Sequence, residues 1–174
     1  MFEMFDGVPG IAYHDAMSGF AISRVRAPED LAATMALFEA YAASLGINLS
    51  YQNFVAEMAA MPGKYAPPKG ELLLARDAGG KAIGCVGLRP LPGDGVCEMK
   101  RLYVSPEGRG LGLGKALAEA VVEAARQIGY REMLLDTLPS LTAAIGLYER
   151  MGFRQIPAYY DTPIEGTLFF RLAL

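Results

Sequence analysis

Apolar residues recur along this chain with two periods, and the switches between them mark its elements. Residues 20–26 alternate as a first strand. Ala27-Pro28-Glu29-Asp30 then opens a helix, with proline and acids in the first turn where the helix dipole favours them. Leu31, Met35, Phe38 and Ala42 or Leu45 continue its apolar face as far as Gly46. A second helix is expected over about residues 51–61, carrying Phe54, Val55, Met58 and Met61. The run from Tyr65 to Gly70 holds two prolines and is expected to be a loop. Strands over 71–77 and 81–88 meet at Gly79-Gly80 as a hairpin, and residues 91–95 turn the chain into a strand over 96–104. Leu113, Leu117, Val121 and Ile128 then keep helical spacing until Gly129. A strand over 132–138, a helix over 140–151 with Ser140 as N-cap, and strands over 153–160 and 167–174 complete the chain. Residues 1–19 show no period and read as an irregular arm. The expected architecture is α/β. An antiparallel meander leads through the 113–128 helix to a parallel neighbour, giving a mixed, mostly antiparallel central sheet flanked by helices.

Composition narrows the class. The 174 residues fit one domain, long enough for a core without disulfide staples, and 52% hydrophobic against 20% charged content is globular. The net charge is −3 and the 16 basic residues are dispersed, so no basic patch points to nucleic acid. Cys85 and Cys97 fall in separate strands with no metal-type spacing, so reduced thiols serving as small core residues are expected, and no metal site. Glu3 and Asp6 in place of a basic-then-apolar leader argue against a signal peptide. No apolar stretch spans a membrane, and the cytoplasm is the simplest address. His14, the only histidine, sits in the arm and is given no catalytic role.

The most informative stretch joins the 96–104 strand to the 113–128 helix. Arg109-Gly110-Leu111-Gly112-Leu113-Gly114-Lys115 places alternate glycines where a helix begins. There the backbone N–H groups lack intrahelical partners and the dipole is positive, so the turn is a phosphate cradle with Arg109 as an added charge. The glycine spacing fits no G-x-G-x-x-G register. The positions a nucleotide P-loop would require as glycine and Ser or Thr hold Arg109 and Ala116. What does match is Arg-x-x-Gly-x-Gly after a strand ending in Leu-Tyr-Val-x-Pro. In this the sequence resembles the GNAT superfamily of acyl-CoA-dependent N-acetyltransferases. Ala144-Ile145-Gly146-Leu147-Tyr148-Glu149-Arg150-Met151-Gly152-Phe153 is similar to a second motif of that family, A-x-x-L-Y-E-x-x-G-F. The resemblance covers residues 20–174. It departs where the family often has Asn seven residues before the tyrosine; Leu141 stands there.

The resemblance implies acetyl-CoA as cosubstrate, held by the turn from Arg109 to Lys115, with main-chain N–H groups of Leu102, Tyr103 and Val104 facing the reacting carbonyl. It implies Tyr148 as the acid for the departing thiolate, against a packing role suggested by its place on a buried stripe. Glu98 is the implied general base, against a pairing role with Lys100 or Arg101. Period two places Glu98 on the face of Lys100, Leu102 and Val104 and turns Cys97 away from it. Family geometry puts Asn48, Tyr51, Gln52 and Glu57 on one side of the acceptor and Tyr159, Tyr160 and Asp161 on the other, with Arg89 at a strand end. Tyr51, Arg89 and Tyr160 are the candidate substrate contacts. The expected reaction is direct acetyl transfer to a primary amine of a small molecule in a ternary complex. Alternatives are a protein or peptide acceptor and a non-catalytic acyl-CoA sensor. A homodimer is left open.

Overall fold

The computed structural model describes residues 13–14 and 19–174, the side chains of Tyr13, His14 and Tyr51 excepted. Its strands are β1 (Tyr13–His14), β2 (Phe20–Arg24), β3 (Glu71–Asp77), β4 (Ala82–Pro90), β5 (Val96–Val104), β6 (Glu132–Thr137), β7 (Arg154–Ile156) and β8 (Leu168–Ala173). Its helices are α1 (Pro28–Leu45), α2 (Phe54–Ala59), α3 (Leu113–Ile128) and α4 (Thr142–Arg150). One 8-stranded sheet runs β1-β2-β3-β4-β5-β6-β8-β7, and only β5 and β6 are parallel. The chain therefore follows the expected mixed, mostly antiparallel arrangement.

Each face of the sheet carries its own core. Leu113, Leu117 and Val121 of α3 pack on Leu73, Val86, Met99 and Met133. On the other face Leu37 and Phe38 of α1 meet Leu72, Leu74, Cys85 and Tyr65. Pro28 at the start of α1 and left-handed Gly46 and Gly129 after α1 and α3 fulfil the punctuation read from the sequence.

Several local expectations are corrected. Tyr13 and His14 are not irregular, since they pair with Ile22 and Ala21; the rest of the arm before Gly19 lies outside the described residues. The second helix is broken. Asn48 accepts the Ser50 N–H at 2.8 Å and starts a 3₁₀ turn over Leu49–Gln52, then Asn53 adopts φ 57° and α2 begins at Phe54. Ser140 caps nothing: α4 starts at Thr142 and Leu141 occupies the N-cap without a side-chain bond. The strand expected over 153–160 ends at Ile156, so Tyr159 and Tyr160 sit in the connection to β8.

Two features of β5 create the site. It pairs with β6 only from Val96–Glu132 to Glu98–Leu134, after which the strands part. In an antiparallel strand successive residues bond to alternate sides, so beyond Glu98 the edge of β5 facing β6 leaves alternate N–H groups turned into the gap. The second feature is a bulge against β4, where the register shifts between Cys85–Tyr103 and Gly87–Lys100 and Arg101 takes φ 58°. The extra residue reverses the alternation. Leu102 and Val104 join Cys97 and Met99 on the α3 face, while Tyr103 packs on the α1 side. Glu98 thus shares its face with Lys100 but not with Leu102 or Val104, contrary to the period-two expectation.

Candidate active site

The Arg109–Lys115 turn has the properties of an anion cradle. Gly112 is the N-cap of α3 at φ 73° and Gly110 lies at φ 79°, both in the left-handed region that favours glycine. A Cβ at either would meet nothing within 4 Å, so these backbones face open space. The first bond into the helix runs from Ala116 N–H to Gly112 O at 3.1 Å, leaving the preceding N–H groups without intrahelical partners. Arg109 and Lys115 are exposed beside them, and Lys115 pairs loosely with Glu119 at 3.6 Å. Leu113 is 1% exposed, so its side chain belongs to the core and it could offer a ligand only its backbone. Leu111, by contrast, is 44% exposed. Orphan donors, a positive helix end and a free arginine fit a pyrophosphate.

Beyond the last β5–β6 pair, Glu98–Leu134, the two strands part. A cavity of about 50 Å³ lies there, lined among others by Leu102, Leu135, Thr137, Leu141, Ala144 and Tyr148. Leu141 makes this wall apolar where the resemblance leads one to expect an amide side chain. The Tyr148 ring packs against Phe153 and Phe170 at 5.7 and 6.4 Å between centroids. Its hydroxyl makes no hydrogen bond among the described residues, and burial holds its proton well above the ordinary phenol value.

A second, wider hollow of about 530 Å³ opens on the α2 side of β5, and Gln52 and Lys100 line both. Its charged floor includes Arg89, Glu98 and Lys100. Leu91, Pro92, Val96, Leu134, Tyr159 and Tyr160 give it apolar and aromatic walls. Glu98 is 1% exposed; its Oε2 accepts from Arg89 Nε at 2.8 Å, its Oε1 from the Tyr159 hydroxyl at 2.7 Å, and Lys100 Nζ stands 3.5 Å away. Burial, and next the Glu98 carboxylate, raise the Tyr159 phenol far above its usual range. Arg101, one of the two expected pairing partners, is engaged elsewhere. The bulge aims it at Glu57, 3.2 Å from Oε2, and at Gln52 Oε1 at 2.8 Å, with its guanidinium over the Phe54 ring. Burial alone would raise the Glu57 carboxyl, but Arg101, the Tyr65 hydroxyl and Arg89 together hold it below the ordinary value.

Sequence reading missed Asp136. It accepts from Lys100 Nζ at 2.6 Å and Gln52 Nε2 at 3.3 Å, placing it where the two hollows meet. The available signal was an acid in the otherwise apolar run Met133-Leu134-Leu135, ahead of Thr137. Of the expected substrate contacts, Arg89 and Tyr160 line the wider hollow; the Tyr51 side chain lies outside the described residues. Asn48 caps a turn. Cys97, on the opposite face, donates to Glu132 O at 3.4 Å, and burial pushes its thiol up to about 12, so it is no nucleophile. Among the described residues no cluster of His, Cys, Asp and Glu could hold a metal ion, and no helix is long and apolar enough to cross a membrane.

A model of the acetyltransferase (GNAT) family matches residues 34–153. The chain belongs to the GNAT family. An uncharacterized N-acetyltransferase of Schizosaccharomyces pombe is 43% identical over 157 residues, covering 90% of this chain and 96% of that protein. A zebrafish (Danio rerio) N-acetylaspartate synthetase is 31% identical over 67% of this chain and 44% of its own length. A crystal structure of a candidate acyl-CoA N-acyltransferase from Klebsiella pneumoniae superposes with TM-score 0.69 at 29% identity, covering 90% of this chain and 99% of that one. This GNAT protein is thus an acyl-CoA-dependent N-acetyltransferase with the fold of its solved relatives.

Proposed function

We propose that this GNAT enzyme moves an acetyl group from acetyl-CoA to a primary amine of a small molecule, by direct transfer in a ternary complex. The observation that carries this reading is the pair of hollows sharing Lys100 and Gln52, one narrow and lined by Leu102 and Tyr148, one wide and walled in part by aromatic side chains. The narrow cavity beside Leu102 and Tyr148 suits a two-carbon acyl group. The turn at Arg109, Gly110, Leu111, Gly112, Leu113, Gly114 and Lys115 would hold the coenzyme phosphates, largely through main-chain N–H groups. The zebrafish relative is named for a small amide product, which is consistent with a small acceptor.

In the transfer an N–C bond forms, the thioester C–S bond breaks, the amine gives up a proton and the sulfur gains one. The alternate N–H groups among Leu102, Tyr103 and Val104 that face the open edge of β5 would stabilise the carbonyl oxygen as charge grows on it. Tyr148, whose proton is tightly held, would serve as the acid for sulfur. Glu98, directly or through a water, would accept the amine proton.

Calorimetric titration with acetyl-CoA, free CoA and ATP tests the cradle, and thiol release across a panel of small amines tests the reaction. Acetyl-CoA binding without ATP binding, followed by turnover with at least one amine, is expected. ATP binding without coenzyme A binding would overturn the cradle. Acetylation confined to peptides would overturn the small-molecule acceptor.

A further inference from the structure

The wider hollow is bordered by a buried cluster whose hydrogen bonds are unevenly matched. Its charges balance: Arg89, Lys100 and Arg101 stand against Glu57, Glu98 and Asp136. Its donors and acceptors do not. Both Glu98 oxygens accept, one from Arg89 and one from Tyr159. Glu57 accepts from Tyr65 on Oε1 at 2.7 Å and from Arg101 on Oε2 at 3.2 Å. Asp136 accepts from Lys100 on Oδ1 and Gln52 on Oδ2. Each carboxylate oxygen therefore already accepts at least one hydrogen bond from the cluster. Arg89 differs: Nε is committed to Glu98 at 2.8 Å and Nη1 lies 3.5 Å from Glu57, while Nη2 has no partner among the described residues. A guanidinium carries five N–H donors, so this one keeps unused capacity. Its side chain remains 21% exposed and lines the hollow.

We propose that the acceptor is an amino acid whose carboxylate docks on Arg89 and whose apolar or aromatic side chain lies against Leu91, Val96, Leu134 and Tyr160. The inference rests on the acetyl-transfer reading and narrows its substrate. A cationic amine lacking a carboxylate would have to share Glu98, Asp136 or Glu57 with the cations already paired to them. A carboxylate finds planar N–H donors suited to it. Charge also favours the amino acid, because a zwitterion enters a neutral cluster without adding net charge. Pairing the carboxylate with Arg89 further removes its pull on the neighbouring ammonium. The amine then loses its proton more readily to the base. Arg89 and Lys100 both approach the same Glu98 carboxylate, so a group held on Arg89 lies beside the junction with the narrow cavity.

The test compares L-phenylalanine, its primary amide and 2-phenylethylamine as acceptors for the intact protein at saturating acetyl-CoA. The acid is expected to exceed both in kcat/KM by roughly 10–100-fold, as loss of a charge-assisted pair implies. Arg89→Lys should reduce that preference several-fold, because lysine keeps the charge but lacks the planar fork. A binding arm needs neither turnover nor a variant: N-acetyl-L-phenylalanine and its amide are titrated into the CoA-bound protein. Roughly tenfold tighter binding of the acid supports the Arg89 site, and equal binding of acid and amide overturns it. Turnover of 2-phenylethylamine equal to that of phenylalanine also overturns it, while leaving small-molecule acetylation intact. Acid-selective binding with no acetylation of any small amine would support the anion site and defeat the broader reading.

Discussion

Tyr148→Phe separates chemistry from packing at one atom. The Tyr148 side chain is nearly buried and its ring contacts Phe153 and Phe170, contacts that phenylalanine reproduces. The hydroxyl makes no hydrogen bond among the described residues, so its removal strands no partner. Stability should therefore change by less than about 1 kcal/mol. For a chain of this size that is a melting shift of at most about 2–4 °C. If the hydroxyl supplies the proton to sulfur, kcat should fall by roughly 10²–10⁴, a loss of about 2.7–5.5 kcal/mol of barrier lowering. Affinity for acetyl-CoA should stay within about threefold, since the phosphate cradle is untouched. The pH dependence carries a sign as well. Burial raises this phenol's pKa, so it stays protonated through neutral pH, and no alkaline loss of activity assignable to Tyr148 should appear below about pH 10. Thiol release at saturating acetyl-CoA gives kcat, calorimetry gives affinity, and thermal melts give stability. An unchanged kcat with an unchanged melt would remove the acid role and leave Tyr148 as a core residue.

Arg109→Ala should weaken coenzyme A binding by roughly 10–100-fold with little change in melting temperature, because the side chain is exposed and its expected partner is a phosphate; equal affinity by calorimetry would defeat the cradle. At Glu98 and Arg89, removing either partner leaves the other short of its counter-charge, and Glu98→Gln or Arg89→Met should each cost about 2–4 kcal/mol in denaturant titrations. The double variant should cost at least about 1 kcal/mol less than the sum, and additive losses would show that the 2.8 Å contact carries no coupling. For Glu57 the net effect of burial opposed by Arg101 is a lowered carboxyl pKa, so its stabilisation is fully present above the unfolded value near 4.5 and is lost as pH falls through the folded value. Thermal melts from pH 7 down to 3 should show that acid-dependent loss blunted in Glu57→Gln; parallel curves would refute it.

Much of the fold and one half of the candidate site are legible in the residues themselves. The phosphate cradle is local. Strand, glycine turn and helix are contiguous, and the donors are main-chain groups whose direction follows from helix geometry, so Arg109 to Lys115 announce it without tertiary information. The same holds for α3, whose apolar stripe fixes both its length and its buried face. Short elements are less legible, because their ends are set by single contacts: the Asn48 turn that breaks the second helix, or the early end of β7 that leaves Tyr159 and Tyr160 in a connection.

The acceptor half was decided by tertiary structure. Period-two reasoning assigns the faces of β5 only if the strand is regular, and the extra residue at Arg101 reverses them halfway along. That bulge turns Arg101 to Glu57 rather than Glu98, a pairing between residues 44 positions apart. Asp136 joins Lys100 across 36 positions, and Tyr159 reaches Glu98 across 61. Single side chains at such separations leave no periodic trace, since a charged residue reads as solvated surface until the fold excludes the water around it. Sequence by itself determined where the proposed phosphate cradle lies and which family frame carries it, because both depend on backbone pattern. Which carboxylates are already neutralised, and hence that Arg89 keeps open donors, depends on distances that only the folded sheet creates.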